Sequence, residues 1–195
     1  MMRFYYANGA TPINQDEVCN LLPSGILTQD DLNVFEQKNI KDAEDWLFTT
    51  RNKKLFVTDD LVRKIHKKMF DKTWKWAGKY RKCNMNIGVE WPRIAQDIMY
   101  LCDDFNYQLD SNVYELDEIA VRFAHRLVLI HPFLNGNGRL SRLIADWVVW
   151  INGKPRFTWG NANLTNHTEI RKCYIKALQK ADNQEIDDLL KFARS

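Results

Sequence analysis

Leu116–Trp150 reads LDEIAVRFAHRLVLIHPFLNGNGRLSRLIADWVVW, and how this stretch folds governs how the rest of the chain is read. Its first part places Ile119, Phe123, Leu127 and Ile130 at helical spacing, which predicts a helix from about Leu116 to Ile130. Pro132 disfavours helical geometry at His131 and should end that helix there. From Arg139 to Trp150 a second helix is predicted, almost wholly apolar after Arg142 and therefore central, with Gly153 and Pro155 stopping it. Between the two lies a short polar loop rich in glycine and asparagine.

That loop has chemistry of its own. Gly136 and Gly138 permit a backbone bend that residues with side chains resist. Directly before a helix, the free N–H groups and the positive end of the helix dipole converge, which suits a phosphate. Arg139 and Arg142 project from neighbouring positions on the first turn, and two arginines beside an amide nest suit two or more phosphates. His131 stands across the same loop, and neutral imidazole is well matched to taking a proton near neutral pH. Each part also has a plain reading: histidine before proline is often structural, Gly-Asn-Gly is often just a turn, and Arg142 could pair with Asp146. Together in one window they point to phosphoryl or nucleotidyl transfer.

Working outward, Thr28 can cap a helix running to about Phe48 and Thr58 one from Asp59 to about Phe70. Residues 74–91 break helical periodicity and carry Gly78 and Gly88, which predicts a loop and short hairpin. Further helices are expected over about Pro92–Leu109, Glu169–Ala181 and Gln184–Ala193, with Met1–Leu27 as an irregular arm. The expected fold is a single all-α domain spanning residues 1–195, with five to seven helices and one β-hairpin.

Composition sets the limits. With 195 residues and a formal net charge of only +3, the charges being spread along the chain, a dedicated nucleic-acid binder is not expected. Lys53-Lys54 and Lys67-Lys68 read as solvated faces. No run approaches the roughly 20 apolar residues that cross a bilayer. Met1–Asn20 lacks a secretory apolar region, so the cytoplasm is the expected compartment. Cys19, Cys83, Cys102 and Cys173 lack metal-ligand spacing and read as reduced, packed thiols. His66, His125 and His167 read as structural histidines, and the tryptophans as core.

The window HPFLNGNGRLSR resembles the Fic (filamentation induced by cAMP) signature HPFx(D/E)GNGRxxR, matched at every defined position except Asn135. Ile65–Phe70, Trp76-Ala77-Gly78, Arg81 and Asn86-Ile87 resemble the region leading into the Fic flap. Arg156–Gly160 and the helix with Tyr174, Ala177 and Leu178 resemble the branch called mobile mystery protein B, in which asparagine commonly stands at the position of Asn135. The resemblance implies a Fic-type helical bundle that uses ATP with Mg²⁺ (or Mn²⁺) to transfer AMP to a hydroxyl of a target protein. It assigns His131 as base and Gly136, Asn137 and Gly138 to the inner phosphates, with Asn137 touching the α-phosphate. Arg139 and Arg142 fall on the outer phosphates, and Phe133 anchors the loop. The flap, about residues 79–90 with Ile87, Gly88 and Val89, would pair with an extended target segment. Asn135 replaces the family's carboxylate ligand to Mg²⁺; an uncharged amide oxygen should hold that cation more weakly. Branch members also occur beside a small helix–turn–helix protein, which implies a toxin-like or regulatory partnership.

Glu36 is the remaining signal. Leu32, Phe35, Ile40, Ala43, Trp46 and Leu47 form an apolar stripe with Glu36 and Asn39 in its middle. A buried glutamate needs a cation or donors. Many Fic proteins carry an inhibitory (S/T)xxxE(G/N) helix, and of that motif only the glutamate matches Leu32–Gln37. The resemblance therefore implies a restraining Glu36–Arg142 pair. Alternatives stay open: another nucleotide, removal of AMP assisted by Glu36, or a catalytically weak nucleotide-binding regulatory module.

Overall fold

The structure is a computed structural model that describes residues 19–26, 28–49, 56–160 and 167–195. Its elements are α1 (Gln29–Thr49), α2 (Asp59–Phe70), α3 (Ile94–Asp110), α4 (Leu116–Ile130), α5 (Asn137–Ile151), α6 (His167–Asp182) and α7 (Asp187–Arg194). A single 3₁₀ turn, Trp91–Arg93, leads into α3 with Pro92 in its first positions. Among the described residues the domain is all-α, and no helix is long and apolar enough to cross a membrane. The expected arm is described only from Cys19 to Ile26; the rest of it, and Lys53-Lys54, lie outside the described residues.

The central element is α5. Leu140, Ser141, Leu143–Val149 and Asn137 are all buried, so this helix is apolar on nearly every side, as a helix enclosed by others must be. Its most extensive partner is α4; α1 and α2 pack together along one side, α3 lies on α4, and the α6–α7 pair closes against α4. Thr58 caps α2 by accepting from Leu61 N, while Asp59 and Asp60 face the positive end of the helix dipole. On the far side of α2, Lys67 and Lys68 are solvent-exposed as expected.

The stripe on α1 is narrower than its apolar residues suggested. Leu32, Glu36, Asn39, Ala43 and Leu47 are buried, whereas Phe35 is exposed. Asn39 explains why a polar residue holds the centre. Its amide donates to Lys68 O (2.8 Å) and accepts from Lys72 N (2.9 Å), satisfying backbone groups where α2 ends. Residues 20–22 pair briefly with 73–75 through Leu22 N to Thr73 O and Lys75 N to Asn20 O, both 2.9 Å. Of the four cysteines, Cys102 alone is buried, so packed thiols are found there and not at Cys19, Cys83 or Cys173.

The expected β-hairpin at 79–90 does not form. That segment is irregular throughout, and the backbone N–H groups of its two legs bond to the end of α4: Arg81 N donates to Pro132 O (3.0 Å) and Val89 N to Ile130 O (3.2 Å).

Candidate active site

Helix α4 ends at His131, but not in the extended conformation usual before proline. His131 is left-handed (φ 53°, ψ 59°), with its N–H still bonded to Leu127 O at 3.1 Å. Such a conformation is costly for a residue with a side chain and persists where its surroundings fix it. Here Arg81 Nε binds the His131 carbonyl at 2.7 Å. A Cβ added to Gly88 (φ 97°) would lie 2.6 Å from His131 Cβ, so only glycine lets the flap approach the histidine this closely. The imidazole is buried, and among the described residues its Nδ1 has no hydrogen-bond partner. Burial lowers the His131 pKa to about 4; the Val128 backbone opposes that shift and the Arg81 charge adds to it. The ring is therefore neutral at pH 7 and able to accept a proton.

The loop beyond it is built on an aromatic floor. Gly136 is the bend (φ 80°), and a Cβ there would meet the Phe70 ring at 2.4 Å. Gly138, expected to share the bend, is instead helical: α5 begins at Asn137, two residues earlier than its apolar pattern implied. Phe133 stacks on His66 with ring centroids 3.6 Å apart and planes 4° from parallel. His66 is more than a core histidine. Its Nδ1 accepts from Gly78 N (2.9 Å), which leaves Nε2–H to donate to Asn135 O at 3.1 Å, so one neutral ring ties the flap's entrance to the motif loop. Burial drives its pKa down to about 3. The sequence signal was available in hindsight: His66 lies on the buried face of α2 with Val62, Ile65, Met69 and Phe70.

Asn137, expected at the α-phosphate, is fully buried and bonds both backbone groups of Phe133: its Oδ1 accepts from Phe133 N at 3.0 Å and its Nδ2 donates to Phe133 O at 2.8 Å. Its carboxamide closes the loop like a clasp. Asn135 Oδ1 accepts from Gly136 N at 2.7 Å, which engages the oxygen expected to face a metal. Among the described residues no three His, Cys, Asp or Glu side chains gather into a metal site.

The arginines divide differently than the resemblance implied. Glu36 pairs with Arg139, not Arg142: Arg139 Nη1 lies 2.6 Å from Glu36 Oε2, while Glu36 Oε1 accepts from Trp74 Nε1 at 2.7 Å. Arg139 projects from the turn of α5 that faces α1, and its guanidinium also sits over the Phe70 ring at 5.0 Å. Arg142, one turn on, faces α6 and lies over Tyr174 at 5.0 Å; Asp146 does not pair with it, bonding Trp159 Nε1 (2.9 Å) and Phe157 N (3.2 Å) instead. The α6 helix adds a cation that sequence reasoning passed over. Arg171, one turn before Tyr174, is lowered in pKa by burial and by the charges of Arg142 and Arg139. The Arg171 guanidinium thus lies close enough to those of Arg139 and Arg142 to feel their charges.

A helix N-terminus with flanking arginines thus lies across one short loop from a neutral, buried histidine. Residues 56–149 match the model of the Fic/DOC family. It is 28% identical over 147 residues to a protein adenylyltransferase Fic of Nematostella vectensis, an alignment covering 69% of this chain and 34% of that protein. The chain spans about a third of the length of the curated relatives it matches. Among solved structures, the BepC effector of Bartonella tribocorum with bound AMPPNP superimposes with a TM-score of 0.69 at 19% identity, covering 97% of this chain and 94% of that one. Fic-1 of C. elegans gives the same TM-score at 19% identity, over 91% and 51% respectively. At these identities the likeness to solved structures establishes the fold.

Proposed function

We propose that the chain is a protein adenylyltransferase that moves AMP from ATP to a side-chain hydroxyl of a target protein. One observation carries the reading: the buried neutral His131 and the arginine-flanked N-terminus of α5 are the two ends of a single short loop. The relatives named protein adenylyltransferase, and the BepC structure with AMPPNP, agree with ATP as the donor. His131 takes the proton of the incoming hydroxyl as its oxygen bonds to the α-phosphorus. The bond from that phosphorus to the bridging oxygen breaks, pyrophosphate leaves, and His131 later returns its proton to solvent. Arg139 and Arg142 offset charge on the outer phosphates. Mg²⁺ arriving with ATP would rest chiefly on phosphate oxygens, with Asn135 as an uncharged protein ligand.

At rest, Glu36 occupies Arg139, so ATP must displace a carboxylate to claim that arginine. We therefore read α1 as a restraint acting through the first motif arginine. A second reading, a nucleotide-binding regulatory module, is favoured by the engagement of Asn135 Oδ1 with Gly136 N.

Incubation with labelled ATP and Mg²⁺ or Mn²⁺ tests these readings. His131→Ala should slow labelling about 10²–10⁴-fold, the usual cost of losing a general base. Equal labelling of wild type and His131→Ala with every nucleotide would refute transfer through His131. ATP binding without labelling by any variant would favour the regulatory module.

A further inference from the structure

Arg81 is 2% exposed, and among the described residues its guanidinium is held by backbone carbonyls. Nε donates to His131 O (2.7 Å), Nη1 to Cys83 O (2.8 Å), and Nη2 to Val89 O and to Ile130 O (3.4 Å). Its own N–H donates to Pro132 O at 3.0 Å. Two of these carbonyls, Cys83 and Val89, belong to the two legs of the flap. The other three run consecutively through the end of α4, Ile130, His131 and Pro132.

That arrangement answers two questions at once. A buried cation needs compensation, and here the carbonyls at the negative end of the α4 dipole supply it. The guanidinium fork also occupies one carbonyl on each leg of the flap, Cys83 O and Val89 O. Only arginine presents donors at several points of a rigid plane, so one side chain can grip both legs and the helix end together. Gly88 then fits against His131 with no room for a Cβ, which leaves the flap and the histidine sharing one rigid seat.

The geometry points to Arg81 as a positioning residue that fixes His131 and the flap edge relative to each other, so that a target hydroxyl presented along the flap meets the base in register. Its consequence for rate rests on the transfer reading above; the clamp itself does not. The bonds of Arg81 run to the flap and the end of α4, so this role affects the acceptor side of the reaction and leaves nucleotide binding to α5.

The test uses Arg81→Met, Arg81→Lys and wild type, each first checked for a cooperative thermal transition. Hydrogen–deuterium exchange should rise in residues 83–91 of Arg81→Met, with α5 and α7 protected as in wild type. Arg81→Lys, which can hold one leg, should fall between. Self-labelling with radiolabelled ATP should lose about 10²-fold in kcat in Arg81→Met, the scale expected when a reacting group is misplaced by about 1 Å. The KM for ATP should stay within about twofold, because uniform binding is untouched. Unchanged exchange at 83–91 overturns the clamp. Faster exchange with wild-type kcat overturns the positioning of His131, and a rise in exchange throughout the chain reduces Arg81 to a stability residue. If wild type labels with no nucleotide, the transfer reading falls, and the exchange pattern alone decides the clamp.

Discussion

Acid should loosen this protein through His66 in an amount that a single substitution can isolate. The folded ring is held at about 3, against about 6.5 in the unfolded chain. Above pH 6.5 neither state holds the proton, and the full stability is present. Below it the unfolded chain takes the proton and the folded chain does not, so stability falls by up to about 1.4 kcal/mol per pH unit until the folded ring titrates. From pH 7 to pH 5 the loss through His66 is about 2 kcal/mol. His131, lowered to about 4, loses a similar amount by the same sign. Asp146 runs the other way: burial raises its carboxyl to about 6, so the folded state protonates first and regains about 1 kcal/mol over that range. The absolute slope mixes all three, and the contrast with His66→Gln separates one. Glutamine offers an acceptor for Gly78 N and a donor for Asn135 O but has no proton to gain. It loses the stack on Phe133, so the variant should be about 1–3 kcal/mol less stable at pH 7. In urea unfolding at both pH values, the variant should then lose about 2 kcal/mol less than wild type on acidification. An equal loss in both proteins would mean that His66 is not the buried neutral link described above.

Three further outcomes follow from local geometry. Gly136→Ala places a Cβ against Phe70 in a left-handed residue and should cost about 2–4 kcal/mol in thermal or urea unfolding; adding Phe70→Leu should recover part of it by making room. Asn106 holds both backbone groups of Val57, accepting from its N–H at 3.0 Å and donating to its carbonyl at 2.8 Å. Asn106→Leu should therefore cost about 2–4 kcal/mol in urea unfolding, with two buried groups left unpaired. Asn135→Asp supplies the charge that a hard cation prefers, so it should lower the Mg²⁺ concentration giving half-maximal labelling; an unchanged Mg²⁺ dependence would remove residue 135 from the metal site.

What the sequence made legible was whatever short-range rules decide. Thr58 with Asp59 and Asp60, and Leu116–Ile130 before His131-Pro132, carry their boundaries in neighbouring residues, and both helices run over the expected spans. The bend between α4 and α5 was legible in Gly136 for the same reason. Partner choice was not, because it depends on which helices face each other. Arg139 and Arg142 are equivalent in sequence; α1 lies on one side of α5 and Tyr174 of α6 on the other, and that alone gives Glu36 to Arg139. The hairpin expectation failed on a similar point: glycines signal a turn, but nothing local says that Arg81 will bond to the end of α4 and to Val89 O. His66 reads as one more apolar-face residue until Gly78 and Asn135 are brought to its two nitrogens.

Glu36 has two bonds, and they serve different ends. Through Oε2 it occupies Arg139; through Oε1 it holds Trp74, whose ring stacks on Trp76 at 5.0 Å, and Trp76 in turn lies against His66 and Phe70. A restraint by charge and a restraint by position therefore predict different variants to be active. Glu36→Gln keeps an acceptor for Trp74 Nε1 and removes the charge from Arg139, whereas Glu36→Gly removes both and places glycine inside α1 at a further cost of about 1 kcal/mol. If the carboxylate competes with ATP for Arg139, both variants should bind ATP more tightly and label faster than wild type. Glu36→Gln should do so with the smaller loss of thermal stability. If α1 restrains the site by holding Trp74, Glu36→Gly alone should be activated. Labelling by both variants at or below the wild-type rate, with melting temperatures showing them folded, would mean that the Glu36–Arg139 pair stabilises the fold and restrains nothing.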